Sequence, residues 1–134
     1  MNLKNKNILL TGGSLGIGKE TAKYLTDKGA NVLITGRSLE RLKKSASYNN
    51  AKTLVFDISN LKEIKEKAKE CIDIFDGKID VLINNAGTGA YRSLDQINIE
   101  DFQKVFNTNV IGLSLLTKEI AELMKSKKYG TIIN

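Results

Sequence analysis

Short apolar runs, separated by segments with helical spacing, constrain the fold of this chain more than any other feature. Five such runs recur, at residues 8–10, 32–34, 54–56, 81–83 and 132–133. Each is continuously apolar rather than alternating, which is typical of strands buried on both faces of a parallel sheet. Because strands and helices alternate, right-handed crossovers predict an α/β fold, a doubly wound sheet with strand order 3-2-1-4-5 and helices on both faces. We expect a single domain over residues 1–134.

The segment before the fourth run carries helix signals. Its apolar stripe of helical period is formed by Ile64, Ala68, Cys71 (or Ile72) and Phe75. Asn60 and Glu63 are placed as a variant of the capping box at its start. Because Cys71 lies on the stripe, we expect it to be a core thiol rather than a reactive one.

The segment before the fifth run predicts one long helix over residues 99–124, with Asn98 as its N-cap. Its apolar stripe comprises Phe102, Val105, Phe106, Val110, Leu113, Leu116, Ile120 and Leu123. Asn109 interrupts this stripe, where a polar amide must find a hydrogen-bond partner. From the residues alone it is either a functional side chain or a buried structural asparagine.

Composition excludes several classes of function. The chain has no histidine, so it cannot use Ser-His-Asp hydrolysis or a histidine-based metal site, and we expect no metal. Cys71 is its only cysteine, which excludes an intrachain disulfide and fits a reducing compartment. No signal pattern and no apolar run of membrane-spanning length is present, so we expect a cytoplasmic protein that binds no membrane.

The net charge of +6 does not indicate nucleic-acid binding. Over residues 61–70 the lysines alternate with acids, as on a solvated helix face. Only residues 125–128 form a basic cluster free of acids, and cations suit the end of a helix. The aromatic residues are spread along the chain without the aromatic-basic interleaving of nucleic-acid-binding proteins, so we expect no nucleic-acid partner.

A glycine-rich segment, Thr-Gly-Gly-Ser-Leu-Gly-Ile-Gly at residues 11–18, directly follows the first apolar run and opens a helix. Gly12 permits the sharp turn out of the strand, and a side chain at Gly16 or Gly18 would block a pyrophosphate or the packing of helix on sheet. The helix N-terminus offers free N–H groups and a partial positive charge to phosphates. This predicts a Rossmann-type dinucleotide site; a glycine-rich turn without a ligand is the alternative.

Together with three further motifs, the glycine-rich segment makes the chain resemble the short-chain dehydrogenase/reductase family. The spacing of Gly12, Gly16 and Gly18 is that family's, as are Asn-Asn-Ala-Gly at residues 84–87 and Asn-Val-Ile-Gly at residues 109–112. Gly-Thr-Ile-Ile-Asn at residues 130–134 is similar to its fifth strand. The resemblance implies an NAD(P)-dependent oxidoreductase that moves hydride between the cofactor and a small carbonyl or alcohol substrate.

The resemblance also implies roles for individual residues. The positions expected to surround the cofactor pyrophosphate and adenosine ribose are Gly12, Ser14, Gly16, Ile17 and Gly18. Asp57 is expected to accept a hydrogen bond from the amino group of the adenine, and Ile58 to contact the adenine ring. Those expected to line the cofactor further along are Asn85, Ala86 and Gly87.

Other roles follow from the same resemblance. Asn84 is expected to tie the strand ends together, and Asn109 to hold a water of the catalytic proton relay. Read without the family, Asp57 is equally a turn-former, and Asn84 and Asn85 are equally turn residues.

The end of the second apolar run favours NADP over NAD. NAD sites of this fold carry an acid there to hold the ribose hydroxyls, whereas here the segment is Thr-Gly-Arg-Ser at residues 35–38. The Arg37 guanidinium can pair with a 2′-phosphate in bidentate geometry. Leu15, however, occupies a loop position where NADP-dependent members of the family often have a second basic residue, and Arg37 is alternatively a solvated residue.

Catalysis in this family needs a serine after the fifth strand and a Tyr-x-x-x-Lys pair in the next helix, both of which would fall beyond Asn134. Two matches to the pair exist, Tyr24 with Lys28 and Tyr48 with Lys52, in parts of the fold that do not reach the nicotinamide. We therefore expect the N-terminal part of the family fold, truncated after the fifth strand and inactive alone. A noncatalytic dinucleotide-binding module and a scaffold without cofactor are the alternatives.

Two further expectations concern partners. Substrate contacts in the family lie mostly beyond Asn134, so here only residues 88–93 are expected to contribute. Ile111, Leu115 and Met124 lie away from the stripe of the long helix, and that helix often builds a dimer interface in the family. We therefore expect self-association through it.

Overall fold

The computed structural model describes residues 2–134 and contains one parallel five-stranded sheet. The strands are β1 (Asn7–Thr11), β2 (Asn31–Gly36), β3 (Lys52–Val55), β4 (Val81–Ile83) and β5 (Thr131–Ile133). The helices are α1 (Gly16–Asp27), α2 (Leu39–Asn49), α3 (Ile64–Ile74), α4 (Ile99–Phe106) and α5 (Leu113–Lys127). A π-helical segment, Asn107–Gly112, joins the last two helices. The strand order β3-β2-β1-β4-β5 confirms the prediction.

Apolar clusters cover both faces of the sheet. In β1, Leu9 belongs to one cluster and its neighbours Ile8 and Leu10 to the other, because successive strand residues point to opposite faces. Residues of α3 and α5 complete the first cluster, and residues of α1 and α2 complete the second. Cys71 lies fully buried in the first cluster, as expected of a core thiol. The doubly wound arrangement is thus confirmed.

The expectation that every apolar run is buried on both faces is wrong for the outer strands. β1 and β2 are almost entirely buried, whereas Val55 in β3 is exposed and all three residues of β5 are exposed. An outer strand has a neighbour on one side only, and the helices cover the centre of the sheet first. Continuous apolar character therefore predicted the strands but not their burial.

The predicted capping box at the start of α3 is wrong. The N-cap of this helix is Glu63, which has helical backbone angles and makes no side-chain cap. Asn60 instead takes part in a turn, in which its N–H donates to the Asp57 carbonyl at 2.9 Å. The turn delays the helix to Ile64, so Asn60 is too far upstream to cap it.

The segment predicted as a single helix begins as expected and then changes its winding. Asn98 caps α4 through a reciprocal capping box with Asp101, which confirms the predicted N-cap. At Asn107 the α-helix gives way to the π-helical segment, and α-helical geometry resumes at Leu113. Such π-turns are rare and are frequent at functional sites.

Part of the predicted apolar stripe is wrong. Leu116 and Ile120 are fully buried as expected, but Phe102, Phe106 and Val110 are about half exposed. Met124, expected to lie off the stripe, is 7% exposed and packs in the core. Phe102 and Phe106 belong to α4, which has no buried residue. Beyond α4, a π-turn holds more residues than an α-turn, so it shifts the face that a strict helical period assigns to the core. Nowhere in residues 2–134 is a helix long and apolar enough to cross a membrane.

Candidate functional site

A cleft of about 370 Å³ lies at the carboxyl ends of β1 to β4, where ligands bind in open α/β sheets. Its lining comprises Gly12, Ser14, Leu15, Ile17, Gly18, Thr35, Gly36, Arg37, Arg41, Phe56, Asp57, Ile58, Asn85, Ala86, Gly87, Thr88 and Thr108. Two predicted site residues, Gly16 and Asn109, are not part of this lining. The structure thus brings the other predicted residues to one cleft.

Three glycines of the loop after β1 are each required for a different physical reason. Gly12 has φ +72°, and a Cβ there would lie 2.8 Å from the Cα of Ala86, so the loop after β4 packs directly against it. A Cβ on Gly18 would overlap the carbonyl oxygen of Gly12. Gly16 has φ +52° with open space above it. Two glycines therefore permit close packing, and the third keeps the space beside the helix N-terminus free.

The first turn of α1 offers its backbone amides to the cleft. Its N-cap, Leu15, makes no side-chain hydrogen bond, whereas Ser38 and Asn98 cap α2 and α4. An uncapped helix N-terminus carries unsatisfied N–H groups and a partial positive charge, which together favour an anion. The arrangement fits the pyrophosphate of a dinucleotide.

Thr11 and Asn85 join the loops after β1 and β4. The Thr11 hydroxyl accepts hydrogen bonds from the backbone N–H groups of Asn85 at 3.1 Å and Ala86 at 3.0 Å. The Asn85 side-chain amide donates to the carbonyls of Thr11 at 3.0 Å and Gly12 at 3.1 Å. Asn85 therefore supports the glycine loop while it lines the cleft. Sequence reasoning missed Thr11, whose only signal was a hydroxyl at the buried end of a strand.

Asn84 ties strand ends together, as expected. Its Nδ2 donates to Asn134 Oδ1 at 2.8 Å and to Thr117 Oγ1 at 2.9 Å, and its backbone N–H donates to the carbonyl of Ile133. These bonds connect β4 to β5 and to α5. The side chain is thus used within the fold rather than in the cleft.

Asn109 holds the backbone of Thr88 at both polar groups. The Thr88 N–H donates to Asn109 Oδ1 at 2.9 Å, and Asn109 Nδ2 donates to the Thr88 carbonyl at 2.8 Å. The expectation that this amide needs a partner is met by the loop after β4. Since Thr88 lines the cleft, Asn109 touches the site through that residue.

Asp57 combines the two roles considered for it. Its Oδ1 accepts from the backbone N–H of Ser59 at 2.9 Å and from the Ser59 hydroxyl at 2.7 Å, which is the geometry of a turn-former. The residue also lines the cleft beside Ile58, which is 5% exposed.

Two arginines lie at the end of the cleft next to β2. Arg37 follows β2 directly, and Arg41 lies in the first turn of α2, where its N–H donates to the cap Ser38. Both side chains are exposed, and neither forms an ion pair within residues 2–134. Sequence reasoning missed Arg41, although its spacing of four residues from Arg37 across a helix start was the available signal.

Comparison with known proteins assigns the family. The family model for short chain dehydrogenases matches residues 6–134. The chain belongs to this family. It is 34% identical over 136 residues to a 3-oxoacyl-(acyl-carrier-protein) reductase of Vibrio cholerae, covering 100% of this chain and 55% of that protein. An uncharacterized oxidoreductase of Thermotoga maritima is 34% identical over 139 residues, covering 100% of this chain and 54% of that protein.

A solved structure has the same fold. The crystal structure of a metagenomic short-chain oxidoreductase in complex with NADP matches with a TM-score of 0.92 at 29% identity. The match covers 100% of this chain and 63% of that one. The chain spans about half the length of the curated relatives it matches.

The two Tyr-x-x-x-Lys matches of this chain lie outside the cleft. Lys28 lies 5.6 Å from the Tyr24 ring on α1, and the Tyr48 hydroxyl on α2 donates to Glu20 at 3.1 Å. That hydrogen bond raises the pKa of Tyr48 above its usual value. The cleft lining contains no tyrosine or lysine. In the described part of the chain, no three Cys, Asp or Glu side chains are grouped so as to hold a metal.

Proposed function

We propose that this chain is the NADP-binding part of a short-chain oxidoreductase that transfers hydride between NADP(H) and a carbonyl or alcohol. The observation that carries the proposal is the pair Arg37 and Arg41 at the cleft end of β2, where an NAD site would have a carboxylate. The NADP in the solved relative and the reductase name of the Vibrio cholerae relative support it.

Each end of the cleft suits one part of the dinucleotide. The uncapped amides of α1, with Ser14, Gly16 and Ile17, would hold the pyrophosphate. Asp57 would accept from the adenine amino group through Oδ2, since Ser59 occupies Oδ1, and Ile58 would pack on the ring. Ala86 and Gly87 would line the path towards the nicotinamide. When bound, the reduced cofactor would supply the hydride to a carbonyl, and the oxidised cofactor would accept it from an alcohol.

Arg41 supplies the second basic residue that NADP-dependent members of the family often have at the position of Leu15. Two guanidinium groups at one end of the cleft compensate the charge of a 2′-phosphate better than one, and each offers planar, bidentate hydrogen bonding. In this chain the second basic residue, Arg41, comes from α2, whereas the glycine loop has the apolar Leu15 at the corresponding position. We infer that the preference for NADP is set jointly by Arg37, directly after β2, and Arg41 in the first turn of α2.

Asn109 would serve the catalytic end. Its side chain is committed to Thr88, so its contribution to a proton relay would be to hold the loop after β4 in place and to present its backbone there. The proton donor for the alkoxide is a separate group, because residues 2–134 place no tyrosine or lysine in the cleft. We therefore propose that these residues bind the cofactor and do not complete the reaction by themselves.

Fluorescence titration with NADPH and NADH tests the proposal. Since one charge-assisted hydrogen bond contributes about 1.5–3 kcal/mol and exposure lowers that figure, we expect NADPH to bind roughly tenfold more tightly than NADH. Arg37→Ala and Arg41→Ala should each reduce this preference, mainly through a loss of NADPH affinity.

Arg92→Ala is the matched control, because Arg92 pairs with Asp101 at 3.0 Å outside the cleft. It should bind both cofactors as the unchanged chain does. Equal affinities for NADPH and NADH, or a preference that survives both cleft substitutions, would remove the argument for NADP.

A further inference from the structure

One face of α2 carries polar residues where an amphipathic helix normally buries apolar ones. Arg41, Ser45 and Asn49 follow one another at four-residue spacing and so lie along one side of the helix. Arg41 lines the cleft, while Ser45 and Asn49 are each 1% exposed. Buried polar side chains are costly unless they are hydrogen-bonded, so their partners indicate their purpose.

The partners form a chain that ends at the glycine loop. Asn49 Nδ2 donates to Ser45 Oγ at 3.0 Å, and Ser45 Oγ donates to the carbonyl of Gly13 at 2.8 Å. Asn49 Oδ1 is occupied in turn by the N–H of Ala51 at 3.1 Å. The Ser45 hydroxyl thus accepts from Asn49 and donates to the Gly13 carbonyl, which orients its proton towards Gly13.

Gly13 is also fixed by a backbone hydrogen bond and by close packing. Its N–H donates to the Thr35 carbonyl of β2 at 3.1 Å, and a Cβ on it would overlap the Ile34 side chain. The Gly13 carbonyl and the Ser14 N–H belong to one planar trans peptide and point in opposite directions. Because Ser45 draws the carbonyl towards α2, the Ser14 N–H is turned away from α2. Ser14 lines the cleft, and its N–H has no acceptor within residues 2–134.

We propose that Ser45 and Asn49 are positioning residues for the diphosphate of the bound dinucleotide, which they never touch. They act through Gly13 by fixing the peptide that presents the Ser14 N–H to the cleft. The inference rests on the proposed cofactor site. It divides α2 into two roles: Arg41 serves the 2′-phosphate that NADP alone carries, and Ser45 with Asn49 serves the diphosphate common to NADP and NAD.

Calorimetric titration with NADP⁺, NAD⁺ and adenosine 2′-monophosphate separates these roles. Ser45→Ala leaves the Gly13 carbonyl and Asn49 Nδ2 without a partner and should weaken NADP⁺ and NAD⁺ alike, roughly five- to tenfold. It should leave adenosine 2′-monophosphate, which has no diphosphate, within about twofold. Arg41→Ala should instead weaken NADP⁺ and adenosine 2′-monophosphate more than NAD⁺.

Two further variants keep the test decisive. Asn49→Ala retains the Ser45 hydroxyl but removes its orienting donor, so it should show the Ser45→Ala pattern at smaller size, and it decides the matter if Ser45→Ala does not fold. Leu42→Val removes one buried methylene from the same helix at a comparable cost in stability. At matched stability it should bind all three ligands as the unchanged chain does.

Each outcome has a distinct meaning. If the unchanged chain binds neither dinucleotide, both the proposed function and this inference are wrong. If it binds them and Ser45→Ala and Asn49→Ala bind equally well, only this inference is wrong. If both variants and Leu42→Val weaken all three ligands to a similar extent, the hydrogen-bond chain is a stability feature and not a positioning device.

Discussion

Cys71 illustrates how burial alone decides the chemistry of a side chain. It has no exposed surface, and it packs in the cluster between the sheet and helices α3 and α5. Burial penalises the thiolate and raises the pKa of the Cys71 thiol to about 12. A neutral, inaccessible thiol is a poor nucleophile. We expect a thiol reagent at pH 8 to label Cys71 only after denaturant is added; rapid stoichiometric labelling of the folded chain would contradict its placement.

The same pKa shift predicts a loss of stability at high pH. The folded state holds the Cys71 proton to about pH 12, whereas the unfolded thiol releases it near its ordinary pKa of 9.0. The contribution of the protonated Cys71 thiol to the free energy of unfolding is therefore complete below pH 9. It falls as the pH rises from 9 towards 12, by at most about 1.4 kcal/mol per pH unit. In denaturant unfolding over this range, Cys71→Ala should lose stability less steeply than the unchanged chain; parallel curves would speak against it.

At the scale of elements, the π-helical segment depends on Gly112. A Cβ on Gly112 would overlap the carbonyl oxygen of Ile58 and lie 2.7 Å from the carbonyl oxygen of Asn107. Both neighbours are backbone atoms, which cannot move without shifting a loop or the π-turn. The close contact therefore links the segment that carries Asn109 to the turn after β3 that carries Asp57.

Gly112→Ala should destabilise the protein although alanine is the better helix former by about 1 kcal/mol. Overpacking costs about 1–3 kcal/mol, so we expect a net loss of up to about 2 kcal/mol in chemical denaturation. Ser114→Ala, at an exposed position of α5, is the matched control and should be neutral or slightly stabilising. A Gly112→Ala chain as stable as the control would show that the contact is not strained.

At the scale of the whole molecule, the outer face of α4 and its continuation stays apolar. Ile99, Phe102, Phe106, Val110, Ile111 and Leu115 are all exposed. So many exposed apolar side chains on one helical stretch are uncommon on a monomer and are typical of an interaction site. We propose that it packs against a second copy of the chain, as the expectation of self-association through the long helix requires.

Light scattering during size-exclusion chromatography at micromolar concentration measures this association. The chain should elute as a species larger than its 14.8 kDa, and Phe106→Glu should shift it towards the monomer by placing a charge in the apolar surface. Tyr24→Glu, at an equally exposed aromatic on α1, should leave the association unchanged. A 14.8 kDa monomer that unfolds cooperatively would refute the proposal.

Much of the site followed from local pattern. The glycine spacing predicted the loop and the start of α1, the segment after β2 predicted Arg37 at the cofactor, and the resemblance to the family implied the residues after β3 and β4. The residues that were missed, Thr11, Arg41 and Ser45, share one property. Each contributes through a partner or a surface that becomes its neighbour only when the chain is folded, as Ser45 does with Gly13, 32 residues away.

The sequence by itself determined the number and order of the strands, their alternation with helices, the strand order in the sheet and the position of the glycine loop. These depend on local periodicity, backbone freedom and the right-handed crossover, all of which act over short stretches. Only the tertiary structure decided the π-turn, the face of α5 that is buried, the exposure of α4, and the bond from Ser45 to Gly13. Those depend on which backbone atoms meet, as Gly112 meets Ile58, and a contact between distant segments exists only once the sheet has brought them together.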